Sequence, residues 1–262
     1  MELGLERKTA VVAGASRGLG FSIAKSIGLE GARLAICSRD SVNISRACDE
    51  LKSLGIEANA YTADVSNPDG AKAFVEIAAH DMGGIDILVT NAGGPPAMSF
   101  EEIEDSMWEE GFRLNLLSTI VMIRAAIPFM KGKKSGRIIN LTSIAVKQPI
   151  DGLIISNTVR AGVIGLAKTL SRELAPFNIT INNILPGYFM TERVEQLANK
   201  LAGLKNGKPE DILEFWKNEI PLKRIGDPDE IGHLAAFLAS EKAAYITGTS
   251  IPIDGGYCKG LL

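Results

Sequence analysis

Cysteine and histidine are scarce in this chain, three and two residues respectively among 262. Cys37, Cys48 and Cys258 form no C-x-x-C pair and no disulfide framework, so a stapled secreted scaffold and a zinc ribbon are excluded. The three are expected to be small buried hydrophobes. His80 and His233 belong to no H-x-x-x-H pair, and no metal site is expected. Charge of one sign is not in excess either. Lys and Arg total 28 against 31 Asp and Glu, a net charge of -3, which argues against a nucleic-acid partner and a polybasic membrane binder. The start, Met1 to Arg7, lacks the basic and apolar regions of a signal peptide, and no uncharged run approaches the roughly 18 residues of a membrane span. A soluble, cytoplasmic protein with a small-molecule partner is the expectation. No Pro/Gly/Ser-rich linker, fixed-period repeat or low-complexity tract interrupts the chain, so residues 1–262 are read as one domain.

What is present is a rhythm. Hydrophobic residues make up 46% and charged residues 23%, enough for a sizeable core. Short apolar, β-branched runs occur at Thr9 to Ala13, Leu34 to Ile36, Ile85 to Val89, Ile138 to Leu141, Ile179 to Leu185 and Ser250 to Ile253. Between them lie stretches at helical spacing, such as Leu19, Ile23, Ser26, Ile27 and Ala71, Phe74, Val75, Ala78, Ala79. Strand and helix in succession predict an α/β fold, a doubly wound, mostly parallel sheet with helices on both faces. From Tyr188 to Leu222 the rhythm changes to mixed charged and apolar residues, a candidate helical lid over the carboxyl ends of the strands. A plain surface helix pair is the alternative.

Directly after the first strand comes Gly14, Ala15, Ser16, Arg17, Gly18, Leu19, Gly20. Glycines there permit a tight turn and let backbone N–H groups approach a pyrophosphate at a helix N-terminus. The spacing is G-x-x-x-G-x-G, and in this context it resembles the short-chain dehydrogenase/reductase family. The resemblance extends from Thr9 to Tyr257. Asp64 and Val65 match the family's adenine-contacting pair after the third strand. Asn91, Ala92 and Gly93 match its Asn-Ala-Gly turn, Asn115 its helix Asn that holds a proton-relay water, and Ser143 its catalytic serine. Pro186, Gly187 and Thr191 match the P-G-x-x-x-T segment near the nicotinamide, and Thr247 to Gly256 the C-terminal strand and turn. The resemblance implies a seven-stranded Rossmann-type sheet and a pattern similar to the 3-oxoacyl-acyl-carrier-protein reductase branch.

Charge then selects the cofactor. The second strand ends in Ser38 and Arg39 rather than an acidic residue, and Arg17 sits inside the glycine turn. Two guanidiniums suit the 2′-phosphate of NADP(H), which an acid would repel.

One family feature is lacking altogether. The family moves the hydroxyl proton with a Tyr followed four residues later by a Lys, but here those positions hold Ser156 and Arg160. Tyr61, Tyr188, Tyr245 and Tyr257 are the only tyrosines, and none has Lys four residues on. A serine hydroxyl is a far weaker acid than a phenol, and Arg160 supplies charge and ribose contacts without shuttling protons. Asn115, Ser143, Ser156 and Arg160 are the expected catalytic set. Tyr188 and Lys147 are the replacement candidates, read more readily as a substrate wall and a solvated loop residue. Three functions follow: an NADP(H)-dependent oxidoreductase on a carbonyl or secondary alcohol, a non-catalytic or regulatory NADP(H)-binding protein, and a dehydratase or isomerase reusing the cleft.

Two long helical stretches, Met107 to Met130 and Ile154 to Ala175, complete the reading. The first carries more apolar surface than one sheet face needs, and the second has Gly162 and Gly165. By the resemblance they imply a homo-oligomer, dimer or tetramer.

Overall fold

Seven runs of the chain meet in one sheet in the computed structural model, which describes residues 2–204 and 207–261, the side chains of Lys200 and Leu204 excepted. The strands are β1 (Thr9–Ala13), β2 (Arg33–Ser38), β3 (Ala58–Thr62), β4 (Ile87–Thr90), β5 (Gly136–Leu141), β6 (Ile179–Pro186) and β7 (Ser250–Ile253). All pairings are parallel, in the order β3-β2-β1-β4-β5-β6-β7. The chain starts in the middle, winds outward to β3, then returns to place β4 on the other side of β1. A crevice therefore opens between β1 and β4 at the carboxyl edge, where the winding direction reverses.

Side-chain alternation along the strands feeds two cores. Ala10 and Val12 of β1 face one side with Leu34, Ile36, Ile87 and Val89, and α1 (Gly18–Leu29), α2 (Ser41–Ser53) and α9 (Pro228–Ala239) cover it. Val11 and Ala13 face the other side with Ala35, Cys37 and Leu88, beneath α3 (Pro68–Met82), α5 (Ser118–Lys133) and α6 (Ile154–Leu174). Both faces being covered is why most strands read as continuous apolar runs. β3 is the exception: it is an edge strand with only Ala58 buried, so no apolar run marks it in the sequence.

Cys37 and Cys48 are buried as expected, but Cys258 is partly exposed, a correction to the reading of all three as core residues. It lies after β7, where its N–H donates to Asp254 Oδ2 at 2.8 Å. The Met107 to Met130 stretch is also not one regular helix. It comprises α4 (Asp105–Phe112), a π-helical turn at Arg113–Leu117 and α5. By length and composition alone the run Asp105–Lys133 reaches what a membrane span needs, and 33% of its most apolar window is buried. Its apolarity is two-sided. Met122, Ile123 and Ala126 pack on the sheet, while Trp108, Phe112 and Leu117 line an outer groove of about 680 Å³ with Pro68 and Arg113.

Candidate active site

The carboxyl edge gathers the matched segments because each directly follows a strand. Gly14 to Gly20 link β1 to α1, with Gly14 at φ +61 and Gly20 buried against Gly14 and Asn91. A side chain at Gly20 would drive into the Gly14 carbonyl. The first turn of α1 has no acidic residue, and its N-cap Arg17 makes no side-chain cap. Its free N–H groups and positive dipole end point into the crevice, suited to a phosphate. Asn91 stitches the two sides of the crevice together by donating from Nδ2 to Gly14 O at 3.0 Å.

Ser38 and Arg39 close the end of β2. Ser38 Oγ donates to Asp40 O, and Arg39 is exposed. Arg17 is exposed too, its Nη1 2.5 Å from Glu192 Oε2 at the start of α7 (Glu192–Leu204). Asp64 Oδ1 accepts from the N–H and hydroxyl of Ser66, and Val65 is buried beneath it. Ser16, Leu19 and Ala92 are half-buried around the turn. The methyl group of Thr191 lies nearest the position a side chain on Gly18 would take, so the P-G-x-x-x-T segment folds back over the glycine turn. Gly187 closes on β7 through Gly187 N–H to Ile253 O at 3.0 Å, which leaves Pro186 buried at the end of β6.

On the β4-β5 side the groups are side chains. Ser156 and Arg160 lie one turn apart on α6 and share its buried stripe with Val163, Ala167 and Ser171. Arg160 is only 8% exposed. Its Nη1 donates to Leu141 O and Thr142 O, and its Nη2 to Gly93 O, each at 3.3 Å. Burial, with nearby Arg193 adding, lowers its pKa to about 10, still a cation at neutral pH. Asn115, set inward by the π-helical turn, donates from Nδ2 to the same Gly93 O at 2.7 Å. Its Oδ1 is buried and accepts from no described residue. Ser143 Oγ accepts from Ala145 N–H at 3.1 Å, leaving its own proton to donate. Ser156 Oγ has no hydrogen-bond partner among the described residues. Asn115 and Arg160 thus meet at the Gly93 carbonyl, and Arg160 also holds Thr142, the residue before Ser143.

Tyr188 stacks on Trp216 of α8 (Pro209–Glu219) at 5.0 Å and meets Tyr257 edge-on at 5.4 Å. Burial, with Tyr257 and Glu219 nearby, drives its hydroxyl well above the usual tyrosine pKa, which makes it a weaker acid than an ordinary tyrosine. Lys147 is exposed on the loop after β5. The segment expected as a lid leaves the body at a neck where Gly226 N–H donates to Tyr188 O and Met190 N–H to Gly226 O. Its residues Lys205 and Asn206 lie outside the described residues. Three residues of this region had no local signal in the sequence: Trp216, Tyr257 and Arg193. Arg193 donates from Nη1 and Nη2 to Gly94 O and Pro95 O at 3.1 and 3.2 Å, nearly a hundred positions away along the chain.

A family model described as enoyl-(acyl carrier protein) reductase matches residues 14–258. The chain is 36% identical over 250 residues to 3-oxoacyl-[acyl-carrier-protein] reductase FabG of Staphylococcus epidermidis, covering 95% of this chain and 98% of the relative. It belongs to the short-chain dehydrogenase/reductase family. Among solved members, L-sorbose reductase from Gluconobacter frateurii, in complex with NADPH and L-sorbose, superposes with TM-score 0.95 at 32% identity over 100% of both chains. YwfH, an NADPH-dependent reductase involved in bacilysin biosynthesis, gives 0.92 at 31% over 98% of this chain and 100% of its own. The seven-stranded parallel sheet with its helices is thus the fold of this family.

Proposed function

We propose that the protein is an NADP(H)-dependent oxidoreductase acting on a carbonyl or secondary alcohol, with a proton path that uses no tyrosine. The observation that carries the reading is the uncapped, acid-free N-terminus of α1 behind the Gly14 to Gly20 turn, flanked by two exposed arginines. Relatives of this fold crystallise with NADPH, which supports the same cofactor here. Gly14, Ser16, Gly18, Leu19 and Gly20 would hold its pyrophosphate. Ser38 with Arg17 and Arg39 would take the 2′-phosphate, and the exposed Arg17–Glu192 pair is weak enough to yield to it. Asp64 and Val65 would meet the adenine, and Asn91, Ala92, Gly93, Arg160, Pro186, Gly187 and Thr191 the nicotinamide end. The bound cofactor supplies or accepts a hydride.

The chain's own residues do the rest. Ser143 Oγ and Ser156 Oγ each have a proton to donate to a substrate oxygen, and the Arg160 guanidinium stabilises negative charge that develops there. Asn115 Oδ1, buried without a donor, orients a hydroxyl-bearing molecule that completes proton delivery. We assign residues 188–222 as a substrate cover on one NADP-binding domain, its hinge the Tyr188–Gly226 neck. The outer groove beside α4 and α5 supports a homo-oligomer. Gly162 is filled by Leu116 of its own chain, whereas Gly165 stays open for a close approach. A cytoplasmic enzyme without membrane or nucleic-acid partners fits this assignment.

A second reading, an NADP(H)-binding protein without turnover, is favoured by one observation: burial raises the pKa of Tyr188, which makes its phenol a weaker acid than an ordinary tyrosine. NADPH oxidation at 340 nm over β-ketoacyl thioesters, diketones, sugars and quinones separates the two, with Ser156→Tyr/Arg160→Lys alongside. Turnover by the unmodified protein, raised about 10²-fold in the double variant, is expected. Tight NADPH binding without any turnover, gained only in the double variant, would establish the binding protein instead.

A further inference from the structure

Two guanidiniums share one short stretch of backbone, and no carboxylate answers either. Arg160 takes the Gly93 carbonyl, and Arg193 takes the next two, Gly94 and Pro95. Seven ion pairs are formed among the described residues, and neither arginine is in one. Carbonyl dipoles satisfy N–H groups but leave the net charge uncompensated. For Arg160, 8% exposed, that is a cation held in the interior. Each cation also raises the cost of the other, and burial lowers the pKa of both. A buried charge with only neutral partners persists where an anion arrives from outside. Asn115, whose amide points at the same Gly93 carbonyl, leaves Oδ1 without a donor, so this end of the crevice has unused hydrogen-bonding capacity besides unused charge.

We propose that Arg160 and Arg193 form the seat of a substrate carboxylate, so that the reacting molecule is an oxo acid or hydroxy acid rather than a neutral sugar, ketone or quinone. The inference rests on the oxidoreductase reading and deepens it. The seat adjoins the donors that reading uses: Arg160 is one helical turn from Ser156, and the carbonyls of Leu141 and Thr142 that it grips immediately precede Ser143. Arg193, on the first turn of α7, is the exposed member and brings the charge to the mouth, while Arg160 holds the inner end. A carboxylate between them is a fork-to-fork partner for a guanidinium, which a hydroxyl or ketone oxygen is not. The cofactor's own phosphate is the other source of an anion, but the oxidoreductase reading gives that phosphate the uncapped end of α1 and Arg17 with Arg39.

The test uses the full chain and matched probes, acetoacetate against methyl acetoacetate and pyruvate against methyl pyruvate, titrated calorimetrically into the NADP⁺-loaded protein. Binding is read without turnover. The acids are expected to bind at least tenfold tighter than their esters, a preference that Arg193→Gln reduces to within twofold and Arg193→Lys retains in part, with NADPH affinity changed less than threefold. Equal binding of acid and ester by the unmodified protein overturns the proposal, and that arm needs no variant to fold. A fall in NADPH affinity with Arg193→Gln that matches any fall in acid binding also overturns it, assigning the arginines to the cofactor phosphate. Normal NADPH binding with no preference for acids defeats this inference alone, whereas absence of NADPH binding defeats the cofactor reading and this inference together.

Discussion

The two halves of the carboxyl edge are built in different ways. Around β1, β2 and β3 the groups at the edge are backbone N–H groups, glycines without side chains and exposed arginines on short loops. Around β4, β5 and α6 they are buried side chains, Asn115 from the π-helical turn and Ser156 and Arg160 from α6. The first half depends on chain geometry, and almost any change of its glycines spoils it. The second depends on functional groups, Asn115, Ser156 and Arg160 among them. A fold of this kind can keep one half constant while the chemistry of the other varies.

The comparison breaks most visibly at Gly20. Gly20→Val places branched carbon against the Gly14 carbonyl and the Asn91 amide, and NADPH affinity measured by fluorescence titration is expected to fall about 100-fold or more, roughly 3 kcal/mol. Unchanged affinity, with an unchanged circular dichroism spectrum, would remove the glycine turn from the cofactor site. A finer probe of the same half is Arg17→Gln and Arg39→Gln. Each should weaken NADPH about tenfold and leave NADH untouched, since only the former carries the 2′-phosphate that a charge-assisted bond would hold. Equal losses for both cofactors would show that these arginines read something other than that phosphate.

The smallest effect is a control remote from both halves. Glu230 caps α9, accepting from Asp227 N–H and from both terminal nitrogens of Arg224, which holds its carboxyl down to about 2. A depressed carboxylate contributes stability above its unfolded pKa of about 4.3 and loses it as pH falls through about 2. The pair is solvent-exposed, so Glu230→Gln should cost at most about 1 kcal/mol at neutral pH, with the gap in melting temperature closing towards pH 2. A gap that persists in acid would trace the effect to lost packing rather than to charge.

How far the sequence was legible follows the same division. Parallel strands covered on both faces announce themselves as apolar runs, and only β3, half-exposed at the edge, did not. The uncapped helix start was readable because turn, cap and first helical residues are contiguous. Arg193 was not, since its two carbonyl acceptors belong to a loop nearly a hundred residues earlier and nothing near it in sequence distinguishes it from an ordinary helix-surface cation. Trp216 likewise looks like one apolar residue on an amphipathic helix until Tyr188 lies parallel to it. The Met107 to Met130 stretch read as one helix because the π-helical turn at Arg113–Leu117 leaves apolar spacing almost undisturbed while it rotates Asn115 inward.

By itself, the order of residues determined the alternation of strands and helices, the position of the crevice and the placing of Ser156 and Arg160 one turn apart, because each is a matter of local spacing. Tertiary structure alone decided that Arg160 is buried on three carbonyls beside a second arginine, and that Tyr188 stacks on Trp216 with its pKa raised by burial. Desolvation and charge proximity are properties of what surrounds a group in space, and those surroundings come from segments far apart in the chain.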